Sequence, residues 1–132
     1  MTKTEHYQLN QWEASDQVKR TDFNEDNAKI DAALDSLASR VEVVIGTYDG
    51  NGVNNRTIEL GFTPKAVLLE NASGQRSDGD RAWGGLMLPN CPIVAAVGMS
   101  AQIVEGGFQV HYASDYNCGN VPGIRYRYLA FK

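Results

Sequence analysis

Hydrophobic positions follow two different periods along this chain. Between Thr21 and Val44, in TDFNEDNAKIDAALDSLASRVEVV, Ile30, Leu34, Leu37, Val41 and Val44 recur at steps of four, three, four and three. That spacing predicts a helix with one apolar seam. Asp22 followed by Glu25 resembles a capping box, with Thr21 as an alternative cap, and Arg40 near the far end suits the helix dipole. In heptad terms Asn27, Leu34 and Val41 take position a, and Phe23, Ile30, Leu37 and Val44 take position d. Ala33 and Ala38 widen the stripe, which suits a core of three or more helices. Periodicity alone leaves the partner open: the seam packs on the chain's own sheet or on copies of itself. The β-branched run Val41–Ile45 also reads as the start of a strand.

From Thr47 onward the period falls to two. RTIELGF places Ile58, Leu60 and Phe62 on one face, and KAVLLEN reads as a central strand. MSAQIVEGGFQVHY reads as a hairpin turning at Gly106-Gly107, with Ala101, Ile103, Phe108, Val110 and Tyr112 facing inward. Short strands with frequent glycine turns predict an antiparallel sandwich or barrel. The last strand, GIRYRYLAFK, puts Ile124, Tyr126, Tyr128 and Ala130 on one face. Its other face begins with Arg125 and Arg127 and ends with Leu129 and Phe131. An outer face that finishes apolar needs a cover, either the helix or a neighbouring subunit. Residues 1–20 fit neither period. Tyr7, Leu9 and Trp12 stand among polar residues there; the competing reading is a disordered leader, but the two aromatic residues favour an arm that orders by lying on a partner. The expected organisation is therefore an arm over 1–20, a helix over 21–45 and a β domain over 46–132.

Composition narrows the function. The 132 residues carry a formal charge of −4 and no basic cluster, which argues against nucleic-acid binding by phosphate neutralisation. No apolar run serves as a signal peptide or membrane span, so the expectation is a soluble chain made in the cytoplasm. Cys91 and Cys118 fit no metal spacing and read as free thiols, with a bridge between loops as the alternative. No GxSxG, HExxH or P-loop occurs, His111 reads as a surface or interface residue, and neither a cofactor nor catalysis is expected. Asp78 and Asp80, in SDGD, lack the other ligands of a calcium loop and read as a turn, so no metal site is expected either. Two polar loops stand out. One carries Arg76, Asp78, Asp80, Arg81 and Trp83; the other carries Asp115, Tyr116, Asn117 and Asn120. Aromatic rings beside Asp, Asn and Arg suit sugar recognition, the ring stacking on a pyranose face while polar groups take its hydroxyls. The competing reading makes Trp83 a cover for the core and the polar residues solvated turns.

The stretch YQLNQWEASDQVKRTDFNEDNAKIDAAL resembles the N-terminal segment of tail proteins from phages and prophages of gut Gram-positive bacteria. GTYDGNGVNNRTIELGFTPKAVLLEN and the closing YRYLAFK resemble tail-fibre tip sequences, and only about Ser73 to Gly98 lies outside the likeness. The resemblance implies a virion structural protein, a homotrimer with a helical stalk and β-rich tips, that attaches to the host surface. It favours self-association of the seam through Asn27, Ile30, Leu34, Leu37 and Val41, with Leu129 and Phe131 covered in the trimer. It makes the arm with Tyr7, Leu9 and Trp12 the part that joins other tail or baseplate proteins. The expected fold is thus mainly β with one N-terminal helix: a trimeric stalk followed by an antiparallel sandwich tip that binds host glycan. A stand-alone carbohydrate-binding module is the alternative.

Overall fold

The computed structural model describes all 132 residues. It is mainly β with one helix, and its strand ladders are antiparallel. The chain divides into two compact units, Met1–Arg40 and Val41–Lys132.

In the first unit a short ribbon, β1 (Thr2–Lys3) with β2 (Asn10–Gln11), precedes helix α1 (Arg20–Ala38). The ribbon is tied to the helix. The Asp26 carboxylate accepts from the Asn10 backbone N–H at 3.1 Å, Lys29 Nζ donates to the Gln8 carbonyl at 2.9 Å, and Trp12 stacks on Phe23 with centroids 6.0 Å apart. The arm expected to lie on a partner thus folds back on its own helix: Trp12 and Leu9 are half-buried, and Tyr7 stays exposed.

The helix itself departs from expectation at both ends. Its N-cap is Lys19, which makes no side-chain cap, so Asp22 sits inside the first turn rather than capping it. It stops at Ala38, where the Ser39 hydroxyl donates to the Asp35 carbonyl. Val41 and Arg40 lie beyond it, and Val44 belongs to a strand. The reason is non-local. Strand β3 (Val43–Asp49) pairs with β12 (Arg125–Phe131) over its whole length, from Val43 opposite Phe131 to Asp49 opposite Arg125. That ladder takes Val44, which would have extended the seam, and leaves Val41 between helix and strand. The helical seam is therefore Phe23, Ile30, Leu34 and Leu37, with Asn27 exposed beside it.

The second unit contains two four-stranded sheets. One runs β3, β12, β5 (Ala66–Asn71) and β8 (Gly85–Met87). The other runs β4 (Arg56–Glu59), β11 (Gly107–Val110), β10 (Met99–Val104) and β9 (Ile93–Val94). Their inward faces share one core. Phe108 meets Tyr128 edge-on at 5.0 Å, and Tyr48 stacks on Tyr126 at 4.8 Å. Of the residues that alternation put inward, Ala101, Phe108 and Val110 are buried while Ile103 and Tyr112 are half-buried; on the face shared by Ile58, Leu60 and Phe62 only Ile58 is buried, and Tyr126 and Ala130 are buried on theirs. The β10–β11 turn is shifted by one residue. Val104 opposes Gly107, so Glu105 and Gly106 make the turn, with Gly106 at φ 81°. Gly107 instead lies in β11, where a Cβ would come 2.1 Å from the Ile58 carbonyl oxygen.

The two-faced last strand finds its explanation on the outer side of the first sheet. Leu129 stands opposite Ile45 on one side and Leu68 on the other, and Leu68 stands opposite Leu86. One apolar row therefore crosses all four strands, and Phe131, Val43 and Ala66 form a second row beside it. Ile45 is 77% exposed and Leu86 58%. Toward the other end the face is polar and internally matched: Arg127 and Arg76 both bond Glu70, and Arg125 pairs with Asp49.

Candidate functional site

The two polar loops do meet, at one end of the second unit. β6 (Ser77–Asp78) and β7 (Arg81–Ala82) form a small hairpin whose Ala82 lies against Asn117 of the other loop. The Ala82 N–H donates to the Tyr116 carbonyl, and the Cys118 N–H donates to the Ala82 carbonyl, each at 2.9 Å. The second loop is anchored from below by the core tyrosines. Tyr48 donates its hydroxyl proton to the Gly119 carbonyl at 2.6 Å, and Tyr126 donates to the Cys118 carbonyl while accepting from the Val121 N–H. Burial pushes the Tyr126 phenol up to about 12 and raises Tyr48 as well, so both stay protonated as donors.

Between the joined loops lies a cavity of about 210 Å³. Trp83, Val121 and Ile124 supply apolar wall, Arg81, Asp115 and Tyr112 supply polar groups, and Cys118 also lines it. The volume is below the roughly 300–1,000 Å³ of sites for drug-sized ligands, so it admits only a small group. Of the residues expected to bind ligand, Arg81, Trp83 and Asp115 are brought together here.

The others go elsewhere. Arg76 turns to Glu70 on the outer sheet face, 3.3 Å away. Asp78 and Asp80 are exposed on the hairpin, and no group of three or more His, Cys, Asp or Glu side chains clusters for a metal anywhere in the chain. Tyr116 is exposed and contributes its backbone carbonyl. Asn117 is buried and holds its own loop, its Oδ1 accepting from the Ala113 N–H, the Ser114 N–H and the Ser114 hydroxyl. Asn120, wholly buried, satisfies its amide on Asn51, Val53 and Arg56, and so clamps a different loop. Trp83 is only 8% exposed and belongs to the core as well as to the cavity wall. Sequence reasoning missed Tyr112 and Ile124 as site residues because, beside a strand, they carry the same pattern as core, and Val121 because an apolar residue in the loop before β12 carries no signal of its own.

Both cysteines are free, Cys91 exposed and Cys118 buried, with the Cys118 thiol donating to the Asp115 carbonyl. Burial pushes that thiol's pKa up, so it stays neutral. His111 is buried rather than on the surface. It follows β11 directly, and the loop backbone at Gly119 lies against this stretch, its N–H donating to the His111 carbonyl at 3.0 Å. A Cβ at Gly119 would come 2.1 Å from the Ser100 carbonyl oxygen. His111 Nε2 and Ser100 Oγ have no protein partner. Desolvation lowers the His111 pKa below its ordinary 6.5. The folded state then binds fewer protons than the unfolded state as pH falls below 6.5. Stability from this group is full above that value and is lost below it. Thermal melting followed from pH 7.5 to 5.5 is expected to show wild type losing stability as pH falls. His111→Gln is expected to flatten that slope; an unchanged slope in the variant would assign it to other groups.

Comparison of the chain with protein-family models, with curated proteins and with solved structures finds no match. No helix is long and apolar enough to cross a membrane.

Proposed function

We propose that this chain is a non-enzymatic tail structural and adhesion protein of a phage or prophage. In this reading it is a homotrimer with a helical stalk and β-sandwich tips, and it joins the virion through its N-terminal segment, next to other tail or baseplate proteins. The loops of the β unit bind a host-surface glycan.

The observation that carries the reading is that α1 buries none of its 19 residues while presenting Ile30, Leu34 and Leu37 on one stripe. An isolated helix of this length is marginal in water and draws its stability from packing an apolar face. Within Met1–Arg40 only the arm lies on it, and a groove of about 250 Å³ bordered by Leu9, Ile30, Leu34 and Leu37 stays open. The apolar row Ile45, Leu129, Leu68 and Leu86 is a second uncovered surface. The same elements from other copies satisfy both. The charges flanking that row are already paired within the chain, so the face offers little to a charged partner.

Adhesion is supported by the cavity at the loop end, whose apolar wall and convergent polar groups fit a sugar ring. A glycan array probed with the intact chain is expected to return binding to a restricted set of bacterial surface saccharides. A blank array, together with no adsorption to Gram-positive cells, would leave the stalk and remove the adhesive role.

A further inference from the structure

Arg81 and Asp115 line one small cavity, yet neither makes an ion pair, with the other or with any other side chain. The remaining arginines of the same unit are all engaged. Arg76 and Arg127 hold Glu70, Arg125 holds Asp49, and Arg56 bonds the Asp49 carbonyl and Asn120 while lying over Tyr48. Arg81 is the exception, and it stands at the cavity. The Tyr112 hydroxyl, on the same wall, also has no hydrogen-bond partner within the chain, although its backbone N–H is bonded to Asn54. Trp83, Val121 and Ile124 supply an apolar surface beside these groups.

We propose that this cavity binds a zwitterionic group, one ring or substituent carrying an anion for Arg81 and an ammonium for Asp115. A guanidinium grips phosphate or carboxylate through paired N–H donors, and a carboxylate accepts from an ammonium. With one charge of each sign the cavity is neutral overall. A singly charged ligand leaves one of the two groups facing an unfilled position, while a zwitterion fills both. The apolar wall takes the carbon skeleton between the charges. The volume limits this to a small moiety, such as an aminoalkyl phosphate or an amino-acid substituent on a saccharide. The proposal rests on the adhesive reading and specifies its ligand.

The test titrates the intact chain by NMR or calorimetry with phosphoethanolamine and with β-alanine, its carboxylate counterpart. Inorganic phosphate, ethanolamine and galactose serve as single-charge and neutral comparisons. At least one zwitterion is expected to bind ten-fold or more tightly than any comparison compound. Arg81→Gln and Asp115→Asn, both at exposed positions, are each expected to abolish that advantage while melting with wild type. Zwitterions no tighter than phosphate or galactose, or variants that keep the advantage, would overturn the proposal. Array binding to neutral saccharides without a zwitterion preference sinks this inference and leaves the adhesive reading standing. Zwitterion binding by a chain that adheres to no glycan keeps the site and removes that reading.

Discussion

Replacing Leu34 and Leu37 together by Asp is expected to convert a trimer into monomers of 14.5 kDa while the β unit stays folded. Leu34 is 59% exposed and Leu37 58%, so in an isolated chain the substitutions exchange solvated leucine for solvated aspartate. Such surface changes usually move stability by no more than about 0.5 kcal/mol. In a three-stranded stalk the same positions face the axis, and two carboxylates per chain would be desolvated without partners. Each carries an effective penalty of several kcal/mol. The effect on assembly is therefore many times larger than the effect on the fold. Light scattering reads the first and thermal melting of the β unit reads the second. A double variant that stays trimeric would remove the seam as the assembly device.

Phe108→Ala is expected to produce the largest loss of fold stability. Phe108 is completely buried on β11, paired with Ile58 on one side and Ile103 on the other, and its ring meets Tyr128 from the facing sheet. Truncation removes the contact that joins the two sheets and leaves a cavity between them. Phenylalanine-to-alanine changes in cores cost about 3–5 kcal/mol. For a unit of this size each kcal/mol lowers the melting temperature by roughly 4–8 °C. A fall of more than ~10 °C in the β unit is thus expected by calorimetry. A variant melting within a degree or two of wild type would mean that the sheets do not share this core.

Much of the β unit was legible because period-two alternation is a local signal. Ala101, Phe108 and Val110 face in as the hairpin pattern implies, and the continuous apolar run KAVLLEN forms a strand inside its sheet. The end of the helix was not legible. Val41 and Val44 continue the seam's spacing, but Val41 lies between helix and strand, and the pairing of β3 with β12, more than 80 residues away, takes Val44 into a strand. The outer-face row shows the same limit: Leu129 and Phe131 flagged it, but Ile45 and Leu86 join it through register alone.

For the cavity, the sequence marked both loops and the three residues Arg81, Trp83 and Asp115 that line it. It gave no sign that Arg76, five positions before Arg81, would be drawn away by Glu70. Nor did it separate binding from scaffolding among the loop amides. Asn117 and Asn120 are buried donors and acceptors that fix the loops, and composition alone does not distinguish them from ligand-facing residues.

In the proposed trimer the exposed seam of α1 is covered by copies of itself. Light scattering coupled to size exclusion, on the unmodified chain at micromolar concentration, tests it most directly. The expected result is three times the chain mass of 14.5 kDa. A single species at the chain mass would contradict it.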